Sequence, residues 1–340
     1  DRVYLDAQCA LRTALYHKLE IPVVLVETMP LSLYDPWVPP FTSGLIPKQT
    51  GISRLGIRLA WEKIVIARKI RNLFFSMLLC RQDYFSLYKR LFLECGFPFE
   101  EKIDWRRPFI IGIKESKILS MNPSSLDFPR KYPPNCQYAP SRVDLNREDP
   151  MLNRRYARVM EEVCLQKQQR PDTKIIYCFS STVMGFEKRS KIIFMKIRDI
   201  CLRNPQFVFI LSVGKYHNTS YLLPCPSNLY VFQQVPQLHL LSYCDLMITS
   251  GGMNSIAECI EKEVPMLVCP LSLKSDQLGN SARVVYHGLG LRARIKLDSS
   301  RTIEKRIVQL FENYATFKRN LSMMRTKILA ESTAINTEVI

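Results

Sequence analysis

The sequence lacks several signals that would assign it to a common class. No uninterrupted apolar run reaches the roughly 20 residues that a helix needs to span a bilayer. Its 11 cysteines show no C-x-x-C spacing, and none has a paired histidine at metal-ligand spacing. Scattered cysteines without a framework indicate reduced thiols in a cytoplasm. Zinc-finger spacing and RNP-type aromatic motifs are also missing, so we expect no nucleic acid partner.

Length and charge set the next limits. At 340 residues the chain exceeds the usual size of a single core, so we expect two domains. The formal net charge of +17 suits an anionic membrane surface or an anionic substrate, but it is equally typical of a generally solvated basic surface. No signal peptide is visible, and the chain opens on a strand pattern at Asp1. We therefore expect a cytoplasmic protein whose first domain is incomplete.

The first half of the sequence alternates strands and helices around proline-rich loops. Val3–Leu5 and the β-branched run Ile21–Val26 are predicted strands on either side of a helix over Ala7–Leu19. Dense prolines predict loops at 29–50 and 123–140. This alternation is typical of a domain with a parallel sheet.

Residues 52–95 are predicted to be helical, with one basic and one apolar face. The basic face carries Arg54, Arg58, Lys63, Arg68, Lys69 and Arg71, and the apolar face carries Leu55, Leu59, Ile66, Ile70, Leu73, Phe74 and Leu78. One interpretation is a helix pair that packs on the domain and keeps its basic side in water. The other is an interfacial patch that meets an anionic membrane or a lipid-borne acceptor.

The second half repeats the strand and helix alternation more regularly. The predicted strands are Lys174–Phe179, Phe207–Ser212, Leu229–Phe232, Asp245–Thr249 and Pro265–Cys269. Strands that alternate with helices predict a parallel sheet covered on both faces, and ligands bind such sheets at the carboxyl ends of the strands. We place the two domains at residues 1–160 and 161–340.

The most informative segment is a glycine turn in the second domain. A predicted strand ends at Thr249, Ser250-Gly251-Gly252 follow, and a helix opens at Asn254. Free N–H groups and the positive end of a helix dipole then point at one spot, which suits a phosphate. The polar pair Asp276-Gln277 follows the next strand, so it can meet whatever is attached to that phosphate.

The ordered set of motifs in the second half resembles the nucleotide-binding domain of the GT-B glycosyltransferases, in their family-one branch. That branch includes the bacterial macrolide-type enzymes and the UDP-glycosyltransferases. The matching segments are Val235–Gln237, Ser250–Ser255 with Glu258, and Asp276–Gln277 with Asn280. The resemblance implies an α/β protein with the GT-B fold, in which two Rossmann-like domains with parallel sheets face a cleft. The N-terminal, acceptor-binding domain would be incomplete.

The resemblance also implies a donor-binding role for individual residues. Val235 and Gln237 would frame the nucleotide base, and Glu258 would accept hydrogen bonds from the ribose. Asp276 and Gln277 would hold hydroxyls of the transferred sugar. The diphosphate would be surrounded by Ser181, Ser250, Gly251, Gly252, Asn254 and Ser255.

Two departures from the family pattern concern catalysis. The family usually has histidine where Ser250 stands, and serine cannot carry the positive charge that helps a diphosphate leave. Asp6 matches the aspartate that orients the catalytic histidine base, but that base is not in this chain, because its four histidines lie elsewhere. On residue type alone, an aspartate at the end of a strand is more often a helix cap than a catalytic group, and only the resemblance makes the two explanations about equal.

These features imply inverting, metal-independent transfer of a hexose from a nucleoside-diphosphate sugar, UDP being favoured. The acceptor would be a hydroxyl of a hydrophobic small molecule or a lipid. The nucleotide sugar is a co-substrate, so no cofactor is expected. Two alternatives stay open, namely a nucleotide-sugar 2-epimerase, which shares the Ser-Gly-Gly turn, and a non-catalytic binding protein of the same fold. The basic helical region adds the expectation of peripheral contact with the inner face of the membrane.

Overall fold

The computed structural model describes residues 2–108, 112–131, 133–140, 142–147, 153–179, 186–214 and 218–333. The chain divides into two compact units. The first comprises Asp1–Ser141 and Ile328–Ile340, and the second comprises Arg142–Lys327. Each unit contains its own parallel sheet, which confirms the predicted α/β class.

The first unit contains a four-stranded sheet in the order β1-β2-β3-β4, and every neighbouring pair is parallel. Its strands are β1 (Val3–Asp6), β2 (Val23–Glu27), β3 (Lys117–Ser120) and β4 (Cys136–Tyr138). Its helices are α1 (Thr13–Lys18), α2 (Gly51–Leu78), α3 (Tyr84–Glu94) and α4 (Phe99–Lys102).

Two local predictions in this unit need correction. The helix expected over Ala7–Leu19 begins as a 3-10 helix at Ala7–Arg12, and only Thr13–Lys18 is α-helical. The helical region 52–95 is a pair of helices, as one interpretation expected, and Asp83 caps the second by accepting hydrogen bonds from the main chain. The predicted loop at 123–140 contains the short strand β4.

Helix α2 is held to its unit by one face. Ile57 and Trp61 are buried, and the indole Nε1 of Trp61 donates to the main-chain oxygen of Val38 over 2.9 Å. The guanidinium of Arg68, also buried, donates to the main-chain oxygen of Trp105 over 3.2 Å. Burial lowers the pKa of Arg68 to about 10. The guanidinium also donates to the main-chain oxygens of Asp104 and Arg107. A buried charge needs such partners, and these three carbonyl groups explain why an arginine is tolerated there.

The second unit contains a six-stranded parallel sheet in the order β10-β9-β8-β5-β6-β7. Its strands are β5 (Lys174–Phe179), β6 (Phe207–Ser212), β7 (Leu229–Phe232), β8 (Leu246–Thr249), β9 (Met266–Val268) and β10 (Gly290–Arg292). Its helices begin with α5 (Arg154–Gln169), α6 (Glu187–Arg203), α7 (Gln237–Leu241) and α8 (Met253–Glu261). They continue with α9 (Gln277–Tyr286) and α10 (Ser300–Glu312). The last helix, α11 (Tyr314–Thr333), begins in the second unit, and its residues from Ile328 belong to the first.

The second sheet is covered on both faces. All residues of β6 and β8 are buried, which explains why these strands are continuous apolar runs rather than alternating ones. Helices α6 and α10 pack on one face, where Phe194 and Ile307 join a single core with Phe209. On the other face, Cys259 of α8 contacts Met247 of β8, sulfur to sulfur, over 3.1 Å.

Candidate functional site

The strand order of the second sheet identifies where a ligand would bind. Strand β5 lies in the middle, with β6 on one side and β8 on the other. The chain first proceeds outward through β6 and β7 and then crosses back to β8. In open parallel sheets, such a reversal leaves a crevice at the carboxyl ends of the two central strands, and ligands bind there. Phe179 ends β5 and Thr249 ends β8, so the glycine turn lies at this point.

The glycine turn is built around Gly251, which has a φ of +89°. A Cβ atom at this position would come within 2.7 Å of Val268 Cγ1. Both the backbone angle and the close approach of β9 therefore require glycine. Gly252 is different, because its backbone is extended and an added Cβ would meet nothing within 4 Å. The space in front of Gly252 is open to a ligand.

Helix α8 begins directly after the turn. Gly252 is its N-cap, and no side chain caps the helix. The first intrahelical hydrogen bond runs from Ile256 N to Gly252 O, so the amides of the first turn have no partner within the helix. Asn254 at the start of this turn is exposed, whereas Ser250 and Ser255 are buried. The predicted phosphate site therefore has the expected local geometry.

Asn280 connects this turn to the polar pair at the end of the next strand. Its side-chain Nδ2 donates to Gly251 O over 2.9 Å and to Asp276 Oδ2 over 2.8 Å. The main-chain oxygen of Gln277 also lies 3.4 Å from the position that a Gly251 Cβ would take. The glycine turn and the pair Asp276-Gln277 are thus neighbours, as the motif spacing predicts.

Gln277 helps to order the loop that precedes it. Its Oε1 accepts hydrogen bonds from Leu271 N over 2.8 Å and from Ser272 N over 2.9 Å. The residue is buried, and these two bonds tie the loop after β9 to the first turn of α9. The loop that presents Asp276 is therefore held from both ends.

Asp276 occupies the N-cap position of α9 but does not cap the helix with its side chain. Its carboxylate accepts from Asn280 instead. Burial raises the pKa of Asp276 above its ordinary value, although the hydrogen bond from Asn280 and the charge of Arg283 act in the opposite direction. A carboxylate that is desolvated beside a phosphate-type turn is typical of a functional position.

A second cluster surrounds Glu258 of α8, which is buried. Gln237 Nε2 donates to Glu258 Oε2 over 2.7 Å and to Ser255 Oγ over 3.3 Å. Tyr177 of β5 donates to Gln237 Oε1 over 3.0 Å. Arg147 Nη1 donates to Glu258 Oε1 over 2.7 Å. This network joins Gln237, which is predicted to meet the base, to Glu258, which is predicted to meet the ribose.

The side chains of this second cluster are buried, unlike those on a solvated helix face. Glu258 is only 4% exposed, and Val235 is buried beside the short helix α7. Tyr177 and Arg147 carried no sequence signal, since a tyrosine within an apolar strand and an arginine in a polar stretch are ordinary. Both carboxylate oxygens of Glu258 already have a partner, so a ribose hydroxyl would have to share or replace one of these bonds.

Asp6, the residue predicted to orient the catalytic base, lies in an ordinary turn. Asp6 ends β1, is exposed, and accepts a hydrogen bond from Gln8 N over 2.7 Å through Oδ1. This is the contact of a turn cap. The ring of His17 packs edge-on against Phe97, and that of His239 lies 2.9 Å from Tyr156 Oη. Ser181 lies outside the described residues.

Two further properties apply to the described part of the chain. No group of three His, Cys, Asp or Glu side chains there is arranged to hold a metal ion. Among the same residues, none of the helices combines the length and the apolar character needed to cross a bilayer.

Comparison with known proteins finds a family match in the later part of the chain. Residues 218–330 match the family described as UDP-glucoronosyl and UDP-glucosyl transferase. Among curated proteins, the NDP-glycosyltransferase YjiC of Bacillus subtilis (strain 168) is 37% identical over 98 residues. That alignment covers 29% of this chain and 24% of the Bacillus protein. The chain therefore matches about a quarter of that protein's length by sequence.

Solved structures extend the fold similarity to nearly the whole chain. The glycotransferase of kitacinnamycin superposes with a TM-score of 0.62 at 18% identity, covering 97% of this chain and 72% of that protein. The spinosyn rhamnosyltransferase SpnG, solved with thymidine diphosphate, superposes with a TM-score of 0.59 at 18% identity. It covers 96% of this chain and 69% of SpnG. At this identity the likeness establishes the fold, and it confirms the predicted GT-B architecture.

Proposed function

We propose that this chain binds a nucleoside-diphosphate sugar at the glycine turn and transfers the sugar. The match of residues 218–330 to the UDP-glucoronosyl and UDP-glucosyl transferase family and the GT-B fold support this function. The observation that supports this most strongly is the contact between the turn and the polar pair, bridged by Asn280. A phosphate site and a sugar-hydroxyl site then lie one strand apart, at the reversal of the strand order.

The diphosphate binds against the first turn of α8. The N–H groups that follow Gly252 have no acceptor within the helix, and the helix dipole places partial positive charge there. Anions gain most from such a position when side chains do not block it, and Gly252 leaves the approach open. The same groups stabilise the charge that develops on the diphosphate as it leaves.

The nucleoside lies toward the network of Gln237 and Glu258. Glu258 accepts hydrogen bonds from the ribose once Arg147 gives up or shares its contact. Val235 and Gln237 face the base. We favour UDP over dTDP because the matched family is described by UDP-sugars. The observation on the other side is that SpnG, which has the same fold, was solved with thymidine diphosphate. Comparing the two nucleotides is therefore part of the test.

The sugar hydroxyls meet the pair Asp276-Gln277. A carboxylate accepts from two hydroxyls, and Gln277 donates through its Nε2, because its Oε1 already accepts from Leu271 N and Ser272 N. An acceptor hydroxyl then attacks the anomeric carbon from the face opposite the diphosphate. The C–O bond to the diphosphate breaks, the new C–O bond forms with inversion, and a base removes the hydroxyl proton. The histidine base of the family pattern is not in this chain, so in this proposal Asp6 supplies only the carboxylate that orients such a base, and removal of the proton depends on a group outside this sequence.

A second function is supported by one specific residue. Ser250 stands where the transferase family usually has histidine, and the Ser-Gly-Gly turn also occurs in nucleotide-sugar 2-epimerases. An epimerase needs no acceptor. Transfer is the better supported function, because Gln237 and Asp276-Gln277 lie beside the turn as the transferase pattern requires.

The experiment begins with titration calorimetry of the chain with UDP, dTDP and inorganic diphosphate. We expect UDP to bind more tightly than diphosphate, because ribose and base add contacts. Incubation with UDP-glucose, with and without a hydrophobic phenol, then separates the reactions by mass spectrometry of the products. Transfer predicts release of UDP and a glucosylated phenol only when the phenol is present. A new nucleotide sugar without phenol would indicate the epimerase. Binding without either product would show that this chain binds the donor without turning it over.

A further inference from the structure

Helix α2 exposes a continuous row of apolar side chains to solvent. We call this row the apolar stripe, and its residues are Leu55, Leu59, Ile66, Ile70, Leu73 and Met77. Each of them is between 55% and 72% exposed. At roughly 100° per residue, all six fall within a sector of about 60° around the helix. The stripe therefore runs along one side of the helix over most of its length.

The apolar stripe is not the face that holds α2 to its unit. The buried residues Ile57, Trp61 and Arg68 lie on the opposite side of the helix. A surface helix normally has one apolar face, which it buries against the core, and a polar face toward water. A second, unpartnered apolar row marks a surface that binds something.

The charges beside the stripe indicate what it binds. Four exposed basic residues flank it, namely Arg58, Lys63, Lys69 and Arg71. Glu62 is the single acidic residue of α2, and it pairs with Arg106 over 3.4 Å. An apolar row between rows of Lys and Arg is the pattern of a helix that lies in the interface of an anionic bilayer.

Helix α3 extends the same apolar character. Tyr84 is 77% exposed, and Leu87 follows one turn later at 43%. Between the two helices lies a cavity of about 860 Å³, which is lined by these two side chains together with Phe75, Leu79 and Arg71. The carboxylate of Asp83 and the amides of Asn72 and Gln82 also line the cavity, so it extends the apolar surface next to the stripe without forming a separate phosphate site.

We propose that the apolar stripe and the adjoining end of α3 bind the surface of an anionic lipid bilayer. The apolar side chains enter the boundary between headgroups and acyl chains, and the flanking Lys and Arg contact lipid phosphates. A second copy of the chain fits this face less well, because pairing two stripes would bring like-charged rows together. The proposal is independent of the nucleotide-sugar site, which lies in the second unit.

Vesicle co-sedimentation tests this proposal. The probes are vesicles of phosphatidylcholine alone and of phosphatidylcholine with phosphatidylglycerol. We expect binding only to the anionic vesicles, weakening as salt is raised. Replacing two stripe residues, Ile70→Ser with Leu73→Ser, is expected to lower binding at least tenfold. Replacing Lys63 and Arg71 by Gln is expected to lower it about fivefold for each charge removed.

A matched control separates the stripe from general attraction of a +17 protein to anionic lipid. Leu202→Ser with Leu297→Ser changes two leucines that are 65% and 73% exposed in the second unit. This double variant is expected to bind like the wild type, and all variants are expected to keep the wild-type melting temperature. Three results would overturn the proposal. They are no binding to anionic vesicles at low salt, equal binding by the stripe and control variants, or a wild-type dimer in light scattering that the stripe variant dissociates.

Discussion

The side-chain amide of Asn280 donates a hydrogen bond to the main-chain oxygen of Gly251 over 2.9 Å, although 29 residues separate them. This bond joins the turn at the end of β8 to the helix that follows β9. Since the same amide also holds Asp276, one side chain sets the distance between the predicted phosphate and sugar positions. A binding site of this kind works best when such supporting contacts are rigid.

The first prediction concerns this bridge. Asn280→Ala removes both hydrogen bonds and leaves the buried oxygen of Gly251 without that partner. An unsatisfied buried acceptor costs about 1–3 kcal/mol, so we expect the free energy of unfolding in urea to fall by that amount. UDP-glucose affinity is expected to fall further than UDP affinity, because Asp276 loses its orientation.

A variant at the end of α10 provides the control for Asn280. Asn313 Nδ2 also donates to a main-chain oxygen, that of Gln309 over 3.0 Å, but at an exposed site. We expect Asn313→Ala to leave both nucleotide affinities unchanged. Equal losses of affinity in the two variants would contradict a specific role for Asn280.

The second prediction uses the raised pKa of Asp276. Because the folded protein holds this proton more tightly than the unfolded chain, ionisation of Asp276 lowers stability as the pH rises through the folded pKa. Asp276→Asn removes that cost and keeps an oxygen that accepts from Asn280. We therefore expect the variant to melt higher than the wild type at pH 7.5, with the difference shrinking as the pH falls toward the ordinary value of 3.8.

Asp298 provides a comparison, because its pKa is lowered where that of Asp276 is raised. Burial acts to raise the pKa of Asp298, but hydrogen bonds from Arg294 and Arg306 outweigh it and lower the pKa. Asp298→Asn is therefore expected to melt lower than the wild type at pH 7.5, with the loss disappearing in acid. A stabilised Asp276→Asn variant that still distinguishes UDP-glucose from UDP would contradict the sugar-binding role of Asp276.

The third prediction separates the contribution of the ribose to UDP affinity from that of the diphosphate. Glu258→Gln replaces an acceptor oxygen by an NH2 group that cannot accept from a ribose hydroxyl. We expect UDP affinity to fall at least fivefold while inorganic diphosphate binds as before, measured by calorimetry. Glu261→Gln, one turn further along the same helix, changes a carboxylate that pairs with Arg325 and is expected to affect neither ligand. An equal loss for both ligands would place Glu258 at the phosphate instead.

The fourth prediction addresses the first unit. Glu27 and Arg107 form an ion pair in which both side chains are at most 1% exposed, and Ser32 donates to the same carboxylate over 2.7 Å. Arg107→Met leaves that carboxylate buried without its cation, which costs about 3–5 kcal/mol. We expect a matching loss in urea unfolding. Lys102→Met breaks the exposed pair with Glu115 and is expected to leave the midpoint unchanged.

Much of the fold could be predicted because its strands are buried on both faces. β5 and β6 are continuous apolar runs, and their observed limits are the predicted ones. β4 could not be predicted, because Cys136-Gln137-Tyr138 is three residues long, follows prolines, and lies at the edge of its sheet. Short edge strands take their structure from the neighbouring strand rather than from their own sequence.

The candidate site was predictable where its geometry is local. Gly251 and the start of α8 are encoded within a few residues, since only glycine adopts the required backbone there. The contact of Arg147 with Glu258 joins residues 111 positions apart, and no spacing rule reports such a pair. Glu258 is buried because Arg147 and Gln237 contact it. A single glutamate in a helix does not indicate such contacts, so its burial could not be predicted from the sequence.

The most direct test of the central claim is the affinity of UDP for Gly252→Ala, measured by calorimetry beside Gly56→Ala. Neither added methyl group meets an atom within 4 Å, so both variants are expected to fold. Gly56→Ala, inside α2, is expected to raise stability by about 1 kcal/mol, and Gly252→Ala, at the N-cap of α8, to lower it slightly. If a diphosphate occupies the open space at the start of α8, Gly252→Ala weakens UDP at least tenfold, about 1.4 kcal/mol, while Gly56→Ala does not. Unchanged UDP affinity in folded Gly252→Ala would contradict a diphosphate site at this turn.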